Sequence, residues 1–131
     1  MTVKFLKLFL LLDAASTALL AAAFLLAGSQ LAALFGLPEA YLFWGGWICA
    51  AVAAILAYAG TRAVPPTFAV WEVAAINIGW VVASIAVFEI ELADLTALGI
   101  TAILGLAAVV FGAALIQMAG ARMLGRRAVT A

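Results

Sequence analysis

Long apolar stretches separated by short polar breaks make up most of the chain. Four of these stretches have the roughly 20 residues that a helix needs to cross the hydrocarbon core of a bilayer. They run over Phe5 to Ala27, Tyr41 to Gly60, Phe68 to Phe88 and Leu95 to Ala119. The pattern therefore predicts an all-α protein, an integral membrane four-helix bundle that forms one transmembrane domain over residues 1–131.

The breaks carry residues that end helices or start them. Pro38 suits the first turn of the second helix, and Pro65-Pro66 separates the second helix from the third. Asp94 is predicted to cap the fourth helix, because a carboxylate can accept from the free backbone N–H groups there. Leu31 to Phe35 is expected to prolong the first helix or to lie along the membrane interface.

The N-terminus also shares features with a signal peptide, since Lys4 and Lys7 precede an apolar run that ends in small residues. The run is long enough to span a bilayer, however, and Asp13 interrupts it. We therefore expect this segment to be retained as the first spanning helix.

The basic residues all fall on one side of a four-span arrangement, and they number six. The opposite side carries four acidic residues and no basic one. Because basic loops remain in the cytoplasm, this division predicts up-down-up-down topology with both termini cytoplasmic. The basic residues are Lys4, Lys7, Arg62, Arg122, Arg126 and Arg127, and the acidic ones Glu39, Glu89, Glu91 and Asp94.

Composition supports a membrane location and restricts the chemistry. Hydrophobic residues make up 70% of the chain and charged residues 9%, too few polar groups to cover a water-soluble surface. The formal net charge of zero offers no basic face for nucleic acid. With no His and only Cys49, neither an internal disulfide nor the usual zinc, haem or copper ligand sets can form. We expect no cofactor and no metal.

Small residues at helical spacing predict the faces through which the helices pack. In lipid, association depends on close contact between backbones, which such residues allow. The predicted packing residues are Gly46, Ala50 and Ala54 in the second helix and Gly105 and Gly112 in the fourth. Bulk at either of the last two is expected to separate two helices and to harm the fold more than Leu104→Ala.

Two acids lie within the predicted spans. An intramembrane carboxylate costs roughly 2.5–3.5 kcal/mol on insertion scales, so Asp13 and Glu72 indicate a functional site by default. Asn77, Trp80 and Ser84 form a stripe on the third helix. Together these five residues are the candidate proton or ligand site. The alternative is structural, with hydrogen bonds between helices and acids that reach cytoplasmic water.

Glu72 is expected to face protein, or a water-filled recess open to the cytoplasm, and not lipid. Its helix has little apolar surplus with which to place a carboxylate against lipid. Gly79 is almost in line with Glu72 and would let a neighbouring helix close over the same face.

Several segments resemble a group of uncharacterised small bacterial inner-membrane proteins with four helices. They are LLLDAASTALLAAAFLLAG, FGLPEAYLFWGG, AVWEVAAINIGWVVASIAV and the ending ALIQMAGARMLGRR. The shared features are a Leu-Pro before the second helix and a Trp/Asn/Trp/Ser pattern in the third. The resemblance implies a multi-pass protein of the bacterial inner membrane, and it implies no activity.

Three functions compete at this point. The first is a non-enzymatic structural or accessory bundle that associates with itself or with a larger membrane complex, its partners being the bilayer and other membrane proteins. The alternative is a small proton-coupled transporter that uses Asp13 and Glu72, similar in size to small multidrug exporters. An enzyme is disfavoured, because no nucleophile motif or metal set is present. We predict the first.

Overall fold

A computed structural model describes residues 1–131, and all of its regular secondary structure is helical. Four of the helices are long and apolar enough to cross a membrane. The prediction of an all-α chain with four helices that could span a membrane is therefore confirmed. The helices are α1 (Val3–Leu26), α2 (Gly28–Phe35), α3 (Glu39–Thr61), α4 (Thr67–Glu91) and α5 (Ala97–Thr130), and the spanning ones are α1, α3, α4 and α5.

The first span is followed by a separate short helix rather than by a continuation. Ala27 leaves the helical conformation with φ −121° and ψ 25°, and α2 begins at the next residue. Leu31 to Phe35 thus belongs to a second helix, which ends at Gly36 in the left-handed conformation, with φ 72°. Glycine adopts that conformation without the steric penalty that a Cβ would bring.

The cap of α5 differs from the prediction. Thr96 is the N-cap residue, and its Oγ1 accepts a hydrogen bond from Gly99 N at 3.0 Å. Asp94 instead belongs to the turn that follows α4, where its backbone N–H donates to Glu91 O at 2.9 Å. The expected Asp94 cap is therefore wrong, because the helix begins later than the apolar pattern indicated.

The spanning helices pack as two pairs, α1 with α3 and α4 with α5. The pairs meet in one core that combines the start of α1, the end of α3, the start of α4 and the late part of α5. The six basic residues flank this end of the bundle, which we call the basic end; the other is the acidic end. Core residues include Leu6, Leu10, Leu56, Val70, Val73 and Leu124.

Glycines allow the helices to approach each other closely, both beside this core and towards the acidic end. A Cβ on Gly60 would lie 2.8 Å from Leu11 side-chain atoms, and one on Gly120 would lie 2.6 Å from Leu6 Cδ1. A Cβ on Gly46 would lie 2.7 Å from Leu25 Cγ. Since real Cβ atoms are not found so close to other heavy atoms, the helices can approach this far only without the side chain.

The contact face of α3 is turned slightly from the predicted one. Gly46 is buried, whereas Ala50 is half-buried and Ala54 is exposed. The neighbouring stripe of Gly45, Cys49 and Ala53 is buried instead. The inward face of α3 therefore centres on this second stripe.

Gly105 and Gly112 do not lie at a helix contact of this chain. Nothing is within 4 Å of a Cβ built at either position. The buried residues of α5 lie on the opposite face, and they include Ala107, Ala114 and Gln117. The expectation that bulk at these glycines separates two helices of the chain is thus corrected: no second helix is there to be displaced.

Loop contacts close the acidic end. The backbone N–H of Thr96 donates to Phe35 O at 3.1 Å, and the Thr96 hydroxyl donates to Leu34 O at 2.6 Å. Tyr41 Oη donates to Glu91 Oε1 at 3.1 Å, which links the start of α3 to the end of α4. The two helix pairs are thus joined by an apolar core at one end and by hydrogen bonds at the other.

Candidate functional site

Four polar side chains from three helices form one hydrogen-bonded series, which we call the polar chain. Asn77 Nδ2 donates to Gln117 Oε1 at 2.8 Å. Gln117 Nε2 in turn donates to Asp13 Oδ2 at 2.7 Å. Thr17 Oγ1 donates to the other carboxyl oxygen of Asp13 at 3.4 Å. The polar chain therefore connects α1, α5 and α4.

The polar chain is buried within the spanning region. Gln117 is fully buried and Asn77 is 9% exposed. A polar group removed from water must find a partner in the protein, because lipid offers none. No buried side-chain nitrogen or oxygen of the chain lacks a hydrogen-bond partner. The series satisfies groups that would otherwise oppose insertion, and it fixes α5 between α1 and α4.

The order of donors and acceptors is consistent along the series. An ionised carboxylate only accepts hydrogen bonds, and an amide both donates and accepts. Asp13 as the terminal acceptor therefore fixes the orientation of the Gln117 amide, and Gln117 fixes that of Asn77. The arrangement thus holds the Asp13 carboxylate in place. No group of His, Cys, Asp or Glu side chains in the protein could hold a metal ion.

Glu72, the other candidate acid, is not part of this series. It is exposed on α4 and has no hydrogen bond to another residue of the chain. Gly79 on the same stripe is also exposed, with nothing within 4 Å of a Cβ built there. The structure therefore places Glu72 on the outer surface of α4. The expectation that Glu72 packs against a neighbouring helix or a recess of this chain is wrong.

Trp80 and Ser84 belong to a different feature, an apolar cavity. Ser84 Oγ donates to the carbonyl oxygen of Trp80 at 2.8 Å, so this hydroxyl is already used within α4. The Trp80 ring reaches from α4 towards α3, and its Cη2 lies 3.4 Å from a Cβ built on Gly45. Of the five candidate residues, the structure thus places Asp13 and Asn77 in the polar chain, and Trp80 and Ser84 in the cavity wall.

The cavity has a volume of about 500 Å³ and lies between the two helix pairs, away from the basic end. Fifteen of its 17 lining residues are hydrophobic. Pockets of about 300–1,000 Å³ are typical of small-molecule sites. The lining includes Leu20 and Phe24 of α1, Trp44 and Ile48 of α3, Trp80 and Ser84 of α4, and Ile103 and Leu106 of α5.

Gln117 is the member of the candidate site that sequence reasoning missed. It lies close to the predicted end of the fourth span at Ala119, where an amide would reach interfacial water. In the structure α5 continues to Thr130, so Gln117 is well inside the helix. The available signal was an uncharged amide in an otherwise apolar span. The sequence could not reveal its partner, because Gln117 and Asp13 are 104 positions apart.

Comparison with known proteins found no protein family, no curated protein and no solved structure that matches the chain.

Proposed function

We propose that the protein is a non-enzymatic accessory bundle of the bacterial inner membrane that associates with a second copy of itself through α5. The observation that carries this proposal is the outward face of α5. Gly105 and Gly112 lie there in open space, although small residues in spanning helices serve close packing. This face provides a contact surface that the single chain leaves uncovered.

The outward face of α5 consists of small residues at spacings of three and four. Thr101, Gly105 and Ala108 are exposed, and Gly112 is half-buried. Two copies inserted in the same direction would present the same face to each other around a twofold axis, so the surface need only be complementary to itself. Close backbone approach would then supply the van der Waals contact that drives association in lipid.

The polar chain supports a structural rather than a catalytic role for the buried polar groups. Both Asp13 oxygens accept hydrogen bonds, and Gln117 uses its carbonyl oxygen and its amide nitrogen. The cavity contains no acid, base or thiol among its lining residues. Asp13 and Glu72 share no hydrogen bond, so the geometry offers no common site for a proton-coupled transporter.

For the membrane orientation we propose up-down-up-down topology with both termini cytoplasmic. The support is the separation of the basic residues from Glu39, Glu89, Glu91 and Asp94. Alkaline phosphatase, which is active only outside the cytoplasm, should be inactive when fused after Ala131 and active when fused after Glu91. The reverse pattern of activity would overturn this orientation.

Cysteine cross-linking tests the association. In a Cys49→Ala background, Gly105→Cys, Ala108→Cys and Gly112→Cys should each give cross-linked dimers in native membranes under oxidising conditions. Leu19→Cys is the matched control, because Leu19 is 73% exposed but lies on α1 rather than on the outward face of α5. Equal cross-linking at Leu19, or none at the three face positions, would contradict the proposed dimer. A cross-link to a different protein would replace the second copy as partner.

A further inference from the structure

We propose that the apolar cavity binds one hydrocarbon chain of a membrane lipid whose head carries an ammonium group. This site lies on the α3–α4 side of the bundle and goes beyond the proposed association through α5.

The cavity opens between α3 and α4. Among its lining residues, Trp44 is 65% exposed and Ile48 is 45% exposed, and Ala83 of α4 is exposed as well. The lining residues of α1 and α5, by contrast, are half-buried. Because α3 and α4 are both spanning helices, the mouth faces the interior of the bilayer. A lipid chain can therefore enter sideways without passing through water.

The lining suits a hydrocarbon chain and little else. Tyr41 and Ser84 are the hydroxyl-bearing residues of the wall, and both hydroxyls donate within the protein, to Glu91 and to the Trp80 carbonyl. Along α3 the lining continues from Tyr41 to Ile48, which corresponds to about 10 Å of helix. A ligand with polar groups along this length would lose its hydrogen bonds to water without replacement.

The rim of the cavity determines the kind of head group. Tyr41 and Trp44 lie at the mouth, and Tyr41 is bonded to Glu91. Through this bond Glu91 places a carboxylate beside the mouth, and the acidic end carries no basic residue. A cation beside an aromatic face and a carboxylate is stabilised by both. A head with a net negative charge would be repelled, so the rim favours a zwitterionic lipid such as phosphatidylethanolamine over phosphatidylglycerol.

Fluorescence quenching by bromine tests whether the hydrocarbon chain of the lipid lies in the cavity. In a Trp44→Phe, Trp47→Phe, Trp71→Phe variant, Trp80 is the only remaining tryptophan, and a brominated chain in the cavity would quench its fluorescence. The protein is held in a neutral sugar detergent and titrated with phosphatidylethanolamine or phosphatidylglycerol that carry identical brominated chains. Both lipids should quench Trp80, and phosphatidylethanolamine should do so at about threefold lower concentration.

Two variants separate the chain from the head. Ala102→Phe fills the cavity and should abolish the quenching, whereas Ala86→Phe, an exposed alanine of α4 outside the lining, should leave it unchanged. Glu91→Gln should retain the quenching and reduce the preference for phosphatidylethanolamine over phosphatidylglycerol. Native mass spectrometry of the wild-type protein with an equimolar lipid mixture should show the same preference for phosphatidylethanolamine.

Two results would overturn the proposal. If quenching were undiminished in Ala102→Phe, and circular dichroism showed unchanged helicity, the lipid chain would lie outside the cavity. Phosphatidylglycerol bound as tightly as phosphatidylethanolamine by the wild-type protein would remove the role of the acidic rim. Neither result depends on whether α5 associates with a second copy.

Discussion

Replacing Gln117 by Leu should lower the free energy of unfolding by about 2 kcal/mol. The substitution removes the only side chain that bonds both Asn77 and Asp13. It leaves an amide without its acceptor and a carboxylate whose one remaining partner is Thr17, at 3.4 Å. Denaturation of the purified protein in detergent, followed by circular dichroism, measures the loss.

Two controls distinguish the lost hydrogen bonds from a general effect of substitution in α5. Met118→Leu, at the adjacent half-buried position, should change stability by less than about 1.5 kcal/mol. Asp13→Asn retains an acceptor for Gln117 and should be milder than Gln117→Leu. If Gln117→Leu were as stable as the wild-type protein, the polar chain would not hold the helices together.

Replacing Gly120 by Leu should be more damaging than the same change at Gly112. A Cβ on Gly120 would lie 2.6 Å from Leu6 Cδ1, in the core where α5 meets α1. The added side chain must push the two helices apart, which should lower the free energy of unfolding by about 3 kcal/mol or prevent folding. Thermal unfolding in detergent would record the difference.

Gly112→Leu provides the matched control, since it introduces the same side chain into the same helix. Nothing lies within 4 Å of a Cβ at Gly112, so the monomer has room for it. We expect its free energy of unfolding to fall by no more than about 0.5 kcal/mol. It can also rise, because Gly is less favourable than Leu inside a helix. Equal losses at Gly112 and Gly120 would contradict the described packing of α5.

The sequence was sufficient to predict the four spans because length and apolarity in a bilayer are local properties. The apolar pattern predicted Tyr41 to Gly60, and the structure has Glu39–Thr61. The structure extends α5 to Thr130, well past the predicted end at Ala119, because a helix can continue beyond the membrane interface with basic side chains such as Arg122, Arg126 and Arg127 in water. The first span was predicted to end at Ala27 and α1 ends at Leu26, but the sequence left open whether Leu31 to Phe35 would prolong that helix, because a Gly such as Gly28 is tolerated inside a helix.

The candidate site was predictable only in part, because it depends on which helices become neighbours. Asp13 and Asn77 were identifiable as polar residues within apolar spans, but periodicity along one helix does not reveal a partner on another. For the same reason, the sequence does not reveal which glycines lie at a contact between helices. Gly112 and Gly120 look alike in sequence, yet Leu6 packs against one of them and nothing covers the other.

The association of two copies through α5 is most directly tested by counting subunits. The protein, labelled with one fluorophore at its C-terminus, is reconstituted at low density into lipid vesicles, and bleaching steps are counted for each spot. The wild-type protein should bleach in two steps, and Gly112→Leu, which folds normally, should bleach in one. Single-step bleaching of the wild-type protein, or two steps in Gly112→Leu, would contradict the account.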